Sequence, residues 1–192
     1  MGRPALLVNA VELLRQPGTQ RQVELVVAQD DLDVVDPHLS GDIAVDLVLE
    51  SAVDDIGVTG RLTVAWADEC RRCLTPLADM LLVDVDERYA EPDPTGYRLV
   101  DPAAFPIEHG QIDLTPMVRE EILLAVPDAP LCRPDCAGLC PTCGADRNVA
   151  PCACDTEVRD DRWAVLDALR PSEPSAQSDP GSVRPAPSDL DT

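Results

Sequence analysis

Six cysteines crowd into the 23 residues from Cys132 to Cys154, in the stretch LCRPDCAGLCPTCGADRNVAPCAC, and two more lie at Cys70 and Cys73. They form four local pairs: Cys70-x2-Cys73, Cys132-x3-Cys136, Cys140-x2-Cys143 and Cys152-x-Cys154. Two-residue spacing lets both sulfurs of one turn converge on a single ion, and two such pairs complete a tetrahedral zinc shell. Four pairs fill two closed sites. Gly144, directly after CPTC, lets the backbone curl around the metal.

Four thiolates leave no coordination position for water, so this pattern points to structural rather than catalytic metal. Zinc would replace core that the segment cannot supply, since ADRNVAP offers little to bury. Structural zinc contributes roughly 10–16 kcal/mol, enough to fold such a loop. Two pairing schemes are open. Cys140, Cys143, Cys152 and Cys154 can close one site locally, leaving Cys132 and Cys136 to meet Cys70 and Cys73. Alternatively the two x2 knuckles pair with each other. Loop-closure entropy favours the local scheme, because its loops are shorter.

Competing chemistries are weaker. A thioredoxin-like pair needs C-x-x-C beside a βαβ unit. Rubredoxin-like iron also uses two C-x-x-C knuckles, which keeps a metal-dependent redox or electron-transfer protein as the alternative function. A zinc deaminase needs H-x-E before P-C-x-x-C. Here His38 and His109 are followed by Leu-Ser and Gly-Gln, and Leu139 precedes Cys140, so that pattern fails. Both histidines read as loop residues. Asp84, Asp86 and Glu87, or Glu120 and Glu121, read as solvated faces in a chain with 36 acids. No catalytic residue and no cofactor-binding loop emerges, and an RNase-like enzyme lacks its histidine clusters and basic surface.

The formal net charge is −21, and all fifteen basic residues are arginine. The absence of lysine removes P-loop and Schiff-base mechanisms. Such a field repels naked nucleic acid and attracts basic partners. No apolar run approaches the length of a membrane span. The N-terminal MGRPALLVNAVELLRQPG lacks the unbroken apolar region of a signal peptide, which places the protein in the cytoplasm, where thiols stay reduced.

Period-two alternation sets the rest of the fold. Asn9 is positioned to cap a short helix over AVELLRQ, which Pro17-Gly18 ends, and residues 21–28 read as a strand. Ile43, Val45, Leu47 and Leu49 share one strand face. Val58, Leu62, Val64 and Trp66 share another, opposite Thr59, Arg61 and Thr63. DDIG, residues 54–57, reads as the turn between them, and residues 77–90 continue an antiparallel meander. Residues 91–110 hold four prolines and read as an acidic surface loop. QIDLTPMVREEILLAVP reads as a helix capped by Thr115, started by Pro116 and ended by Pro127, with Leu114, Met117, Val118, Ile122 and Ala125 towards the sheet. RDDRWAVLDALRP suggests a second helix with Trp163, Leu166 and Leu169 on one side. Residues 171–192, rich in Pro and Ser, lack apolar surface and read as disordered.

Four stretches together resemble the YceD family: CRRCLTPL (70–77), QIDLTPMVREEILLAVPDAPLC (111–132), GLCPTCG (138–144) and DDRWAVLDALR (160–170). The resemblance covers about residues 1–170. It implies a role in accumulation of large-subunit ribosomal RNA, and it supplies no established catalytic residue to carry over. The chain departs from the family pattern at Arg147, where a leucine is usual, and in its long tail.

The expected architecture is α+β: a small antiparallel sheet of three to five strands with packed helices and a Cys-rich zinc-binding segment, 131–154. One domain, 1–170, is followed by the 171–192 tail. The expected role is a non-enzymatic factor in large ribosomal subunit biogenesis holding one or two zinc ions. Its charge suits a basic ribosomal protein or a pre-ribosomal particle better than naked RNA or a membrane.

Overall fold

A computed structural model of the protein describes residues 6–53, 55–93, 101–155 and 161–169. The chain divides into two units, Met1–Cys154 and Asp155–Thr192. The first unit contains strands β1 (Leu7–Asn9), β2 (Gln20–Val27), β3 (Leu39–Ser51), β4 (Asp55–Glu69), β5 (Pro76–Ala90), β6 (Phe105–Glu108) and β7 (Gln111–Asp113). Its helices are α1 (Val11–Arg15), α2 (Thr115–Ala125) and a short 3-10 turn, Gln29–Leu32. Among the described residues no helix is long and apolar enough to cross a membrane.

The strands form one sheet in the order β1-β7-β6-β5-β4-β3-β2. The β3–β5 portion is the expected antiparallel meander, and β2 adds to it antiparallel to β3, with Leu25 opposite Val45, Val45 opposite Leu62 and Leu62 opposite Val83. The alternation has a direct consequence: Ile43, Val45, Leu47, Leu49, Val58, Leu62 and Val64 are all buried on one face. Met117, Val118 and Ile122 of α2 and Leu13 of α1 join the same core. Each such side chain contributes on the order of 1.5–3 kcal/mol by leaving water.

Two parts of the expected architecture are corrected. The sheet is neither small nor wholly antiparallel, because β6 runs parallel to β5, with Tyr89 opposite Phe105. Strands β1, β6 and β7 have three or four residues each, too short for an alternating pattern to announce. Residues 91–110 therefore contain a strand as well as loop, and Tyr89 stacks on Phe105 with ring centroids 5.2 Å apart. Helix is also scarcer than expected: α1 spans five residues, and α2 is the one substantial α-helix among the described residues.

Smaller differences have local causes. The β3–β4 turn falls earlier than DDIG. Ile56 is buried and already paired with Ser51, while Asp54 lies outside the described residues. Thr115 does not cap α2. Asp113 Oδ1 accepts from the Thr115 N–H at 2.9 Å, and Thr115 Oγ1 is buried without a partner. Asn9 does act at the start of α1, accepting from the Val11 N–H at 2.9 Å.

In the second unit, Asp161–Leu169 is a 3-10 helix rather than an α-helix. Three residues per turn keep positions 163 and 166 on one side, and Trp163 is 65% exposed. The expected tail, 171–192, lies outside the described residues.

Candidate metal centres

The β4–β5 hairpin pairs continuously from Asp55 opposite Ala90 to Glu69 opposite Pro76. Its tip, residues 70–75, is the first cysteine knuckle. The Cys70 N–H donates to the Thr75 carbonyl at 2.9 Å, and the Leu74 N–H donates to the Cys70 carbonyl at 2.8 Å. This turn requires a left-handed residue at Leu74, φ 59°. Both thiols are thereby aimed off the end of the hairpin, and both are buried.

The segment after α2 closes over this tip. The Arg71 N–H donates to the Pro130 carbonyl, and the Leu139 N–H to the Arg72 carbonyl, both at 2.9 Å. Arg72 Nη1 donates to the Cys136 carbonyl at 2.9 Å. Gly138, φ 70°, makes the close approach feasible, since a Cβ there would meet the Arg72 carbonyl oxygen at 2.9 Å.

Cys132 and Cys136 are thus delivered to Cys70 and Cys73. Cys70 and Cys136 sulfurs lie 3.8 Å apart, and Cys73 and Cys132 sulfurs 3.6 Å apart. A zinc–sulfur bond of about 2.3 Å in tetrahedral geometry places sulfurs about 3.8 Å apart. A disulfide needs about 2.05 Å, and all eight cysteines are free thiols. The spacing fits a shared ion.

The second cluster repeats the device. The Gly144 N–H donates to the Cys140 carbonyl at 2.9 Å, the Cys140 N–H donates to the Ala145 carbonyl at 2.8 Å, and Gly144 has φ 74°. Cys152 and Cys154 complete the set, with all four sulfurs within 4.8 Å of one another. Each group of four could hold a metal ion. The grouping is the one that loop entropy favours, and the two x2 knuckles do not meet in a common site.

Protonation follows the backbone. Burial raises the Cys70 thiol, but the N–H groups of Cys132, Arg72 and Cys73 outweigh it and bring it down to about 6. The N–H groups of Cys143 and Thr142 bring Cys140 down to about 6. The Thr75 hydroxyl and N–H lower Cys73. Burial and neighbouring sulfurs push Cys132 up to about 12; the Cys143 sulfur, then burial, does the same to Cys154. In each cluster the backbone N–H groups thus favour the thiolate at the first cysteine of the knuckle, while burial and neighbouring sulfurs favour the thiol at one partner.

The supporting residues were not visible in the sequence. Asn148 Nδ2 lies 3.5 Å from the Cys136 sulfur, and its Oδ1 accepts from Arg133 Nη2 and from the Ala137 N–H, each at 2.8 Å. Asp146 Oδ1 fixes the same amide, accepting from Nδ2 at 2.7 Å. Thr75 Oγ1 sits 3.2 Å from the Cys73 sulfur. The Asp-x-Asn spacing hints at a turn, but nothing local says that it faces a sulfur. The two histidines lie outside both clusters: His38 Nδ1 is 3.5 Å from Asp68 Oδ1, and His109 lines a cleft beside Tyr89 and Phe105.

The model of the family described as large ribosomal RNA subunit accumulation protein YceD matches residues 58–170. An uncharacterized protein of Mycobacterium leprae is 32% identical over 92% of this chain and 83% of its own length. An uncharacterized protein of Mycobacterium tuberculosis is 30% identical over 84% of this chain and 79% of its own. The chloroplastic large ribosomal RNA subunit accumulation protein YCED homolog 1 of Arabidopsis thaliana is 33% identical over 36% of this chain and 22% of its own. No solved structure matches the chain. With the matched region spanning both the hairpin knuckle and the cysteine segment, the chain belongs to the YceD family.

Proposed function

We propose that this chain is a non-enzymatic factor in large ribosomal subunit biogenesis that supports accumulation of large-subunit ribosomal RNA. Membership of the YceD family carries this reading. The net charge of −21 supports action through a basic ribosomal protein or a pre-ribosomal particle rather than naked RNA. A factor of this kind works in the cytoplasm, where bacterial ribosomes assemble.

Each cysteine cluster holds one structural zinc ion in this proposal. Cys70, Cys73, Cys132 and Cys136 form the first ligand set, and Cys140, Cys143, Cys152 and Cys154 the second. All-sulfur tetrahedral sets suit zinc or iron, and four protein ligands leave no position for a reacting molecule. The metal then locks the cysteine segment to the hairpin tip and supplies no chemistry of its own.

Elemental analysis of natively purified protein, together with identification of co-purifying ribosomal components, tests both halves. A colourless protein with two zinc ions per chain and ribosomal proteins of the large subunit is expected. A red, iron-loaded protein, or a thiol pair that cycles between oxidation states, would replace this reading with electron transfer. Recovery of naked RNA without ribosomal protein would overturn the proposed mode of contact.

A further inference from the structure

The core side of the sheet is covered by the helices, but among the described residues no element packs on the opposite side of β2–β5. Cross-strand register places Val26, Ala44, Thr63 and Leu82 in one row across this outer side. Val26 is 67% exposed and Leu82 60% exposed, and exposed Met80 lies beside them on β5. The next row towards the other end of the strands is Glu24, Asp46, Arg61 and Asp84. Asp86 follows on β5. An apolar floor thus borders an acidic rim.

The arginine in this rim does not neutralise it. Arg61 is committed to Asp84, with Nε and Nη2 2.8 and 2.7 Å from the same carboxylate oxygen. Asp46 lies between Glu24 and Arg61 in that row, and its Oδ1 accepts from the Gln22 side-chain amide at 3.5 Å. Between floor and rim lies an open cleft of about 390 Å³, bounded by Glu24, Val26, Ala44, Asp46, Arg61 and Thr63. A long cationic side chain matches this arrangement. Its methylene stem covers Val26 and Ala44 while its charged head reaches the carboxylates.

We propose that the outer face of β2–β5 is the docking surface for a cationic, partly apolar protein segment, seated by its Lys or Arg stems on the Val26–Leu82 row and held by Glu24, Asp46 and Asp86. The inference rests on the proposed role as an acidic partner of a basic protein and names the surface that performs it. Charge steers the encounter, and the apolar row distinguishes this segment from a simple polycation. A nucleic acid is disfavoured on this face, because its phosphates meet carboxylates.

The test uses the full, metal-loaded chain, immobilised and exposed to RNA-free proteins extracted from large ribosomal subunits. A parallel arm offers protein-free large-subunit ribosomal RNA. Four proteins are compared: the unaltered chain; a Glu24→Gln, Asp46→Asn, Asp86→Asn variant; a Val26→Ser, Leu82→Ser variant; and a Glu12→Gln, Asp30→Asn, Glu108→Gln control with equal loss of charge. The unaltered chain is expected to retain a defined set of basic proteins. Both face variants should lose them by roughly tenfold or more, with the control within about twofold. Equal loss in the control, or undiminished binding by the Val26–Leu82 variant, overturns the docking surface while leaving the acidic-partner reading intact. Retention of RNA and no protein by the unaltered chain overturns both. Melting curves with matching midpoints show that the variants remain folded.

Discussion

Leu74 occupies in the first cysteine knuckle the place that Gly144 occupies in the second. Both have left-handed backbones, φ 59° and 74°. Both donate their N–H to the carbonyl of the first cysteine, at 2.8 and 2.9 Å. One turn geometry is thus built twice, once with the residue suited to it and once without. A non-glycine residue in this region costs roughly 1–2 kcal/mol, and the 15-residue strands flanking the first knuckle hold Leu74 there.

Substitutions at these two positions should therefore be unequal. Nothing lies within 4 Å of a Cβ at Gly144, so Gly144→Ala introduces backbone strain alone. It should weaken the second centre by about 1 kcal/mol. Leu74→Gly relieves strain but frees the unfolded chain, and the two effects nearly cancel. Chelator competition resolved by centre checks this. A Leu74→Gly variant as damaged as Gly144→Ala would show that the turns are not equivalent.

The two centres should also be separable. Replacing Cys152 and Cys154 together by Ser should remove one metal ion and leave the other, by native mass spectrometry. Replacing Cys70 and Cys73 should do the converse. It should also expose the segment after α2 to protease, since the hairpin tip is what that segment closes upon through Arg71, Arg72 and Gly138. Loss of both ions from either double variant would mean that the ligands are shared.

Much of this arrangement was legible because cysteines announce themselves and β3, β4 and β5 are long. Ile43, Val45, Leu47 and Leu49 alternate without interruption, and all four are buried. The short strands had no such period. β6 lies in a proline-broken stretch, and its pairing with Tyr89 comes from tertiary contact. Gly60 is a similar case. Its φ of 147°, with a Cβ position only 2.2 Å from the Asp46 carbonyl oxygen, shows β3 pressed against β4. In the sequence it is an unremarked glycine inside a strand. The cysteine grouping followed from loop entropy, but Asn148 and Thr75 owe their roles to distant partners.

Asn148 supports the first centre without serving as one of its four sulfur ligands. Its amide approaches the Cys136 sulfur while Arg133, Ala137 and Asp146 hold it in orientation. Residues that orient ligands from behind typically contribute 10–100-fold in metal affinity. Asn148→Ala should weaken zinc at the first centre by roughly tenfold and leave the second within error. Titration against a zinc indicator in the Cys152→Ser, Cys154→Ser background isolates the first centre. Unchanged affinity there would reduce Asn148 to a loop staple.

Glu121 on α2 gives a pH dependence whose sign can be worked out. Burial, then the nearby Glu87 carboxylate and its hydrogen bond, then Glu120, raise its native pKa above the ordinary 4.5. The folded protein therefore binds this proton more tightly than the unfolded chain does. The resulting stabilisation is complete below the unfolded value and is lost as pH rises through the native one. At pH 7 the ionised carboxylate destabilises the fold, and Glu121→Gln removes that effect. The variant should have the higher urea midpoint at pH 7, its unfolding free energy exceeding that of the unaltered chain by under about 1 kcal/mol for a partly exposed charge. Its advantage should vanish below about pH 4. Acid weakens the hold of any thiolate-bound metal in both proteins alike, so the difference between their stabilities isolates the carboxyl. An advantage that grows towards acid pH would reverse the sign and show that Glu121 is stabilised as the anion.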